Sequence, residues 1–240
     1  MVATMGAAQV KIGSRGTRKL VCVGRNYADH AQELGGEVPK APLLFLKHGT
    51  SVITPPDKIH IPTDMGPIHY EVELAVFMEK DCKNATPAHA IKKVAGYGVA
   101  IDLTARAVQE AEKKRGEPWV MSKAQDGFAP IAPVLIPPHH IDLDDTELWL
   151  QVDGVDKQRG NTKDMVFKVD TLLSYISSLM TLQAGDIILT GTPAGVGPIS
   201  AGQKVTIGLK SSKGGEATAT FEVEERPKPP EGVVTFPVEL

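Results

Sequence analysis

The chain has 240 residues, of which 42% are hydrophobic, and its 26 basic and 29 acidic residues give a formal net charge of −3. A chain of this size buries one large core, so we expect a single main domain. The nearly balanced charge offers no positive surface for nucleic acid or an anionic membrane, and no apolar run approaches the roughly 18 residues of a membrane-spanning helix. Only Cys22 and Cys82 are present, too few for a disulfide framework or a zinc site. We therefore expect a soluble protein of a reducing compartment that acts on small molecules.

The N-terminal segment is basic, since Lys11, Arg15, Arg18 and Lys19 all precede the first acidic residue, Asp29. This composition is typical of organellar presequences. Glycines interrupt any amphipathic helix in the segment, so a flexible basic terminus over residues 1–18 is the alternative prediction.

The next part of the chain is predicted to form short strands and one short helix. A strand is expected at residues 20–23, and Asn26 is a favourable N-cap residue for a helix that Gly35 and Gly36 end. Further strands are expected at residues 43–46, 52–53, 59–61 and 71–77. A helical segment at residues 89–94 follows.

The second half is also dominated by strands. A buried strand at residues 99–103 is expected to run into a helix with Thr104 as its N-cap and Gly116 at its end. Asp153-Gly154 predicts a type I′ hairpin turn, because these residues tolerate positive φ angles. Apolar side chains at helical spacing predict an amphipathic helix over residues 172–180, and a strand at residues 186–190 leads into a glycine-rich loop.

Strands outnumber helices and do not alternate regularly with them. The pattern therefore favours a β-rich α+β fold over a doubly wound parallel sheet. We expect one main domain over residues 19–225 and, from residue 226 to residue 240, an exposed tail rich in proline.

Three acidic side chains are candidate metal ligands. Glu71 and Glu73 lie two residues apart in an apolar strand, so both project from one face, where a divalent cation would relieve their repulsion. Asp102 ends the next buried strand. Three carboxylates without a nearby cysteine suit Mg²⁺ or Mn²⁺ rather than zinc. The residues alone leave open a solvated edge strand for the glutamates, a helix N-terminal acid for Asp102, and either ligation or packing for His69.

Several other side chains are candidates for catalysis. His30 and Glu33 are three residues apart on the short helix, so Glu33 can orient His30 as a base. Lys123 lies in an apolar stretch and is suited to stabilising an enolate or a carboxylate. Arg106 and Gln109 share a helix face that begins after the third acid. Each candidate has an alternative interpretation. His30 and Glu33 can form a surface ion pair, and Lys123 can be a surface lysine whose stem lies on apolar surface. Arg106 and Gln109 can be solvated helix residues.

The glycine-rich loop at residues 191–197 follows a strand, as a phosphate-binding loop does. It lacks both the terminal Lys-Ser/Thr pair and the Gly-x-Gly-x-x-Gly spacing, so nucleotide binding is not supported. Its amides and Thr192 can instead hold a carboxylate. Neither Ser51 nor Ser122 lies in a nucleophile-elbow motif, so serine hydrolysis is not supported either.

Four ordered stretches, at residues 23–30, 69–76, 96–106 and 186–197, resemble motifs of the fumarylacetoacetate hydrolase superfamily, and the resemblance spans about residues 19–223. The short N-terminal region, without a separate SH3-like domain, resembles the small acylpyruvate hydrolase and oxaloacetate decarboxylase branch found in mitochondria. This resemblance implies a mixed β-sandwich roll and a homodimer. It favours the mitochondrial matrix, with the cytoplasm as the alternative.

The same resemblance implies residue roles. Glu71, Glu73 and Asp102 match ligands of Mg²⁺ or Mn²⁺, His30 and Glu33 match a dyad on a lid, and Lys123 matches the catalytic lysine. The matching substrate contacts are Arg25, Arg106, Gln109 and Thr192. Ala107 departs from the family, which usually has an acid at this position, so the way in which Arg106 is held is left open.

These roles imply chemistry on small 2-oxo acids. A chelated cation would act as a Lewis acid and stabilise an enolate. Water activated by His30 and Glu33 would hydrolyse an acylpyruvate, whereas loss of carbon dioxide would convert oxaloacetate into pyruvate. We therefore predict cleavage of a carbon–carbon bond by one or both of these reactions. The alternative, keto–enol tautomerisation of oxaloacetate, needs the same ligands without bond cleavage. A metal-stabilised binding protein without turnover is the non-enzymatic alternative.

Overall fold

The computed structural model describes residues 17–33 and 39–234, without the side chains of residues 30–32. Most of the predicted N-terminal segment, Gly35, Gly36 and the last six residues of the predicted tail therefore lie outside the described residues. The α-helices are α1 Ala28–Glu33, α2 Pro87–Ala90, α3 Arg106–Arg115, α4 Val120–Lys123 and α5 Val169–Leu179. Within the described chain, no helix combines the length and the hydropathy needed to cross a membrane.

The described strands are, in chain order, β1 Lys19–Gly24, β2 Leu43–His48, β3 Val52–Ile53, β4 Ile59–Ile61, β5 Ile68–Tyr70, β6 Val72–Met78, β7 Val94–Ile101, β8 Thr104–Ala105, β9 Ala129–Pro130, β10 Thr146–Val152, β11 Val155–Asn161, β12 Ile187–Leu189, β13 Gly197–Ile199, β14 Lys204–Ser211 and β15 Glu216–Glu225. They form two five-stranded sheets and two smaller ones. Strand thus dominates over helix, which confirms the predicted β-rich α+β class.

The first five-stranded sheet has the order β2-β1-β12-β6-β7. Only the β1–β12 pair within it is parallel. All seven residues of β6 are buried, because both faces of this central strand are covered. β2 forms one edge of the sheet and lies at the surface of the protein.

The second five-stranded sheet has the order β11-β10-β14-β15-β4 and packs against the first. Side chains of β10 alternate between buried and partly exposed, as expected for a strand with one face on the core. Asp153 and Gly154 connect β10 to β11 with φ angles of 51° and 78°, as the predicted hairpin turn requires. One core cluster contains inward-facing residues from both sheets, including Leu74 and Leu148.

The structure differs from the sequence prediction at the start of α3. Thr104 is not an N-cap residue, because Thr104 and Ala105 form β8 and pair with His69 and Ile68 of β5. The cap position is Ala105, and the helix begins at Arg106. Pairing with a strand 36 residues earlier in the chain outweighs the local preference of threonine for helix starts.

Candidate active site

The three predicted metal ligands converge where strands of different sheets meet. Glu71 separates β5 from β6, so the chain changes sheets at this residue. Asp102 follows β7, and its backbone N–H donates to the carbonyl oxygen of Glu71 at 2.8 Å. Glu73 lies in β6. All three side chains are buried, and each offers an oxygen within 4.8 Å of those of the others. This group is the only such cluster of potential ligands found within the described residues.

Lys123 balances part of this negative charge. Its Nζ lies 2.9 Å from Oε2 of Glu71 and 2.6 Å from Oδ2 of Asp102. The same Nζ lies 4.8 Å from the ring centroid of Phe45. Burial alone lowers the pKa of Lys123, but the two carboxylates outweigh this effect and raise it. Lys123 is therefore charged although its side chain is almost completely buried.

A second buried lysine, Lys47 of β2, was not predicted. Its Nζ lies 2.8 Å from Oδ1 of Asp102. It donates to the carbonyl oxygens of Leu103 at 3.0 Å and Phe128 at 2.9 Å, and to that of Lys123. Burial lowers the pKa of Lys47, and Asp102 opposes this effect. A lysine in the otherwise apolar run 43–47 was the available signal, because an interior lysine requires a partner.

Arg106 and Gln109 lie at the start of α3 and interact with each other. Nη1 of Arg106 donates to Oε1 of Gln109 at 2.7 Å, and Nη2 donates to Oε1 of Glu71. These contacts show how Arg106 is held although Ala107 replaces the acid expected at that position. Arg106 thus contacts the acidic cluster directly, and Gln109 is linked to the cluster only through Arg106.

The glycine-rich loop holds one of the carboxylates. The backbone N–H of Gly191 donates to Oε2 of Glu73 at 2.7 Å. Gly191 has a φ angle of +98°, and a Cβ atom there would lie 2.6 Å from Cβ of Asn26, so only glycine fits without strain. The loop was predicted to hold a carboxylate, and the carboxylate it holds belongs to the protein itself.

The electrostatics of the cluster favour a cation. Burial raises the pKa of Glu73 well above its ordinary value, and the charges of Asp102 and Glu71 raise it further. Lys123 and the N–H of Gly191 oppose this shift without cancelling it. Three buried carboxylates with an all-oxygen donor set therefore fit a hard divalent cation. His69, whose Nδ1 is buried and without a hydrogen-bond partner in the described structure, is outside the ligand cluster.

One cavity opens onto the carboxylates, and eight of the ten predicted site residues line it: Glu71, Glu73, Asp102, Arg25, Arg106, Gln109, Lys123 and Thr192. Arg25 enters this wall from the end of β1 with a φ angle of +57°. This conformation costs a non-glycine residue roughly 1–2 kcal/mol, and such strain concentrates at functional positions. Phe45, Lys113 and Trp119 also line the cavity and were not predicted.

Two buried polar side chains that were not predicted fix the surroundings of the cavity. Nε2 of Gln158 donates to Oγ1 of Thr192 at 2.8 Å, while Oε1 of Gln158 accepts from the N–H of Val72 at 2.9 Å. Glu112 accepts hydrogen bonds from the N–H of Met121, at 3.0 Å, and from the hydroxyl of Ser122. The second pair of contacts anchors α4, the helix that carries Lys123.

The predicted dyad is only partly within the described structure. Both carboxylate oxygens of Glu33 accept from the backbone N–H of Gly195, at 3.1 and 3.2 Å. His30 belongs to the same helix, α1, but its side chain lies outside the described residues. The pairing of Glu33 with His30 therefore stays a prediction.

Comparison with known proteins identifies the family of this site. Residues 19–223 match the family model described as fumarylacetoacetate (FAA) hydrolase C-terminal. The chain belongs to the fumarylacetoacetate hydrolase family. A protein named mitochondrial oxaloacetate tautomerase, from Arabidopsis thaliana, is 49% identical over 88% of this chain and 93% of its own length. Family membership, predicted from the four motifs, is thus confirmed.

Other members of the fumarylacetoacetate hydrolase family carry different functional names. A Dictyostelium discoideum protein named mitochondrial oxaloacetate decarboxylase is 46% identical over 80% of this chain and 87% of its own length. The solved structure of fumarylpyruvate hydrolase from Pseudomonas aeruginosa, in complex with Mn²⁺ and pyruvate, has a TM-score of 0.78 and 33% identity. It covers 88% of this chain and 91% of that one.

Proposed function

We propose that this family member is a metal-dependent enzyme that acts on oxaloacetate through its enolate. The observation that carries the proposal is the group of three buried carboxylates, Glu71, Glu73 and Asp102, beside the cations Arg106 and Lys123. We assign the three carboxylates to Mg²⁺, with Mn²⁺ as a substitute. The bound cation supplies a Lewis acid for the ketone oxygen of a 2-oxo acid.

The charge balance of the site favours a substrate with two carboxylates. Three cationic side chains, Lys47, Lys123 and Arg106, pair with Glu71 and Asp102, and together they match the number of acids in the cluster. A divalent cation in the same site therefore leaves two positive charges in excess. Burying excess charge is costly unless it is paired, so a dianion fits better than a monoanion. Oxaloacetate is a dianion, whereas acetylpyruvate has one carboxylate.

The residues of the cavity then have separate tasks. We assign Arg106 and Lys123 to the carboxylates and enolate oxygen of the substrate, because both are charged groups on the cavity wall. Gln109 is held by Arg106 and orients the same end of the substrate. Arg25 and Thr192, which also line the cavity, are assigned the remaining contacts with the substrate. Together these side chains hold a 2-oxo acid in one orientation, which lowers the entropic cost of reaction.

His30, assisted by Glu33, is assigned to proton transfer. For keto–enol tautomerisation it moves a proton at C3 of oxaloacetate, and for hydrolysis of an acylpyruvate it takes a proton from water. Neither role is needed for loss of carbon dioxide. The dyad therefore separates tautomerisation and hydrolysis from decarboxylation in a mutational test.

Among these reactions we put tautomerisation first, since the Arabidopsis thaliana relative at 49% identity is named for it. Decarboxylation of oxaloacetate, one of the two cleavage reactions predicted from the sequence, gives the enolate of pyruvate, which the same cation would stabilise, and the name of the Dictyostelium discoideum relative supports it. Hydrolysis of an acylpyruvate is supported by the name of the Pseudomonas aeruginosa structure.

The purified protein decides between these reactions when it is assayed with Mg²⁺ or Mn²⁺ and with a chelator. Accelerated loss of the ultraviolet absorbance of enol-oxaloacetate, without pyruvate, supports tautomerisation. Pyruvate from oxaloacetate supports decarboxylation, and pyruvate from acetylpyruvate supports hydrolysis. Absence of all three reactions would overturn the proposal and leave a binding protein.

The role of the carboxylates is tested with a matched pair of variants. Glu73→Gln removes one buried charge from the cluster, whereas Glu110→Gln removes a half-exposed charge from α3. We expect the first variant to lose cation-dependent turnover and calorimetric Mn²⁺ binding and the second to retain both. Equal behaviour of the two variants would contradict the assignment.

We also propose that the protein is a homodimer. Four apolar side chains on β2 and α4, Leu43, Leu46, Val120 and Met121, are exposed, and the two elements that carry them contact each other; we call these four residues the β2–α4 surface. Val120 is 56% exposed and Leu46 48% exposed, values that are unusual for large apolar residues on an edge strand and neighbouring helix. A second copy of the chain would cover this surface.

Light scattering coupled to size-exclusion chromatography tests the homodimer. The double variant Leu46→Lys/Val120→Lys should elute as a monomer. Leu179→Lys, at an equally exposed apolar position on α5, should leave the mass unchanged. A monomeric wild-type protein, or dissociation by the control variant alone, would refute the assignment of this surface.

The mitochondrial matrix is the proposed location, with the cytoplasm as the alternative. The names of the Arabidopsis thaliana and Dictyostelium discoideum relatives include the mitochondrion, and the basic segment over residues 1–18 has the composition of a presequence. A fluorescent fusion of the full chain should be imported, and deletion of residues 1–18 should leave it in the cytoplasm. Import without this segment would refute its role.

A further inference from the structure

Lys47 makes an unusual set of contacts behind the carboxylates. Its side chain is fully buried, and its Nζ contacts Oδ1 of Asp102 at 2.8 Å. Three carbonyl oxygens, those of Leu103, Lys123 and Phe128, accept its three protons. An uncharged amine has only two protons, so this arrangement requires the ammonium form.

The three carbonyl groups belong to segments that build the active site. Leu103 directly follows Asp102, Lys123 is the last residue of α4, and Phe128 precedes β9. Lys47 itself comes from the edge strand β2. One side chain therefore ties β2 to Leu103 and to the stretch from residue 123 to residue 128, at the point where Asp102 and Lys123 meet.

The two oxygens of Asp102 contact different lysines. Oδ1 contacts Lys47, and Oδ2 contacts Lys123 at 2.6 Å. Lys123 lines the cavity and also contacts Glu71, whereas Lys47 does not line the cavity and has backbone carbonyls as its other partners. Lys47 thus fixes the rotation of the Asp102 carboxylate and leaves Oδ2 facing the acidic cluster.

We propose that Lys47 is a positioning residue, which orients Asp102 and anchors the backbone of Lys123 and so sets the geometry of the cation site. The inference rests on the proposed function of the carboxylates. Groups that orient metal ligands through such contacts typically change metal affinity about 10–100-fold when they are removed. Lys47 supplies no proton to the substrate in this role.

Lys19 provides a matched control. Its Nζ pairs with the buried carboxylate of Asp186 and donates to the carbonyl of Thr181 at 3.0 Å, so it too holds a buried aspartate. Lys19 begins β1 and Asp186 precedes β12, whereas the cavity lies at the other end of these strands, near Gly24 and Gly191. Lys19→Met and Lys47→Met thus remove similar ion pairs at different distances from the site.

The experiment measures Mn²⁺ affinity by calorimetry and the electron paramagnetic resonance spectrum of bound Mn²⁺ in the full chain. Lys47→Met should weaken Mn²⁺ binding about 10–100-fold and alter the spectrum, while Lys19→Met lowers thermal stability and leaves both readouts unchanged. Unchanged Mn²⁺ binding in Lys47→Met, or an equal loss in both variants, overturns the inference. Absence of Mn²⁺ binding in the wild-type protein would instead overturn the proposed function.

Lys47→Arg decides the matter where Lys47→Met does not fold. Arginine keeps the positive charge, but its planar guanidinium cannot direct one N–H to each of three carbonyls and contact Asp102 at the same place. We expect weaker Mn²⁺ binding and an altered spectrum. Wild-type affinity together with a wild-type spectrum would overturn the positioning role.

Discussion

Gly191→Ala is expected to damage both the stability of the fold and the cation site. The φ angle of Gly191 is +98°, where an alanine is strained by roughly 1–2 kcal/mol. The new Cβ would also lie 2.6 Å from Cβ of Asn26 and 3.2 Å from the carbonyl oxygen of Val23. Asn26 cannot easily move away, because its side-chain amide forms hydrogen bonds with backbone groups of Phe167 and Thr190.

The steric overlap adds to the backbone strain. Overpacking of a well-packed site typically costs about 1–3 kcal/mol. The N–H of Gly191 also donates to Glu73 at 2.7 Å, and when a cation is bound and Glu73 is charged, such a hydrogen bond contributes about 1.5–3 kcal/mol. Displacement of the loop therefore weakens the orientation of a proposed ligand, and we expect the Mn²⁺ dissociation constant to rise about 10–100-fold.

Gly202→Ala is the matched control for this prediction. Gly202 has a φ angle of +88°, but an added Cβ would meet nothing within 4 Å. It therefore incurs the backbone strain alone. For a chain of this size, 1 kcal/mol of unfolding free energy corresponds to about 2–4 °C in melting temperature. The steric overlap of about 1–3 kcal/mol should therefore make Gly191→Ala melt about 2–12 °C below Gly202→Ala. Equal melting temperatures and equal Mn²⁺ affinities by calorimetry would refute the reasoning.

Three further predictions address the dyad, the support of α4 and the effect of pH. Glu33→Ala should lower tautomerisation or hydrolysis about 10²–10⁴-fold with calorimetric Mn²⁺ affinity unchanged, and loss of Mn²⁺ binding would contradict this separation. Glu112→Ala removes the acceptor of two hydrogen bonds that anchor α4, and a hydrogen bond to a charged group contributes about 1.5–3 kcal/mol, so its melting temperature should fall below that of Glu110→Ala, whose side chain is half-exposed. The raised pKa of Glu73 means that the cation-free fold binds this proton more tightly than the unfolded chain does. The stability of the cation-free fold should therefore fall as pH rises through that pKa, and saturating Mn²⁺ should abolish this pH dependence. The same dependence of melting temperature on pH with Mn²⁺ and with a chelator would contradict this prediction.

Features governed by neighbouring residues were predictable from the sequence. The turn at Asp153-Gly154 is one example, because both residues adopt the positive φ angles that aspartate and glycine tolerate. The existence of strand β6 is another, since residues rich in valine, leucine and alanine predicted a strand at residues 71–77. The helix α5 was also expected, although Leu179, assigned to its apolar face, is 56% exposed at the last residue of the helix.

Features governed by distant partners were not predictable in this way. Thr104 is an ordinary N-cap residue by local criteria, and only its pairing with β5 makes it a strand residue. Lys47 was missed for the same reason, because its partners are at positions 102, 103, 123 and 128. The loop at Gly191 was expected to hold a carboxylate, but its neighbour Glu73 lies 118 positions earlier.

The sequence by itself determined the strand-rich class, the family and a set of candidate site residues, because periodicity, turn residues and ordered motifs are local properties of the chain. By spacing alone, Glu71 and Glu73 also fitted a solvated edge strand. Only the tertiary structure decided that they, Asp102, Lys123 and Lys47 are buried together. The physical reason is that burial and charge pairing depend on which distant segments meet, and a carboxylate acquires its pKa and its partners only when they do.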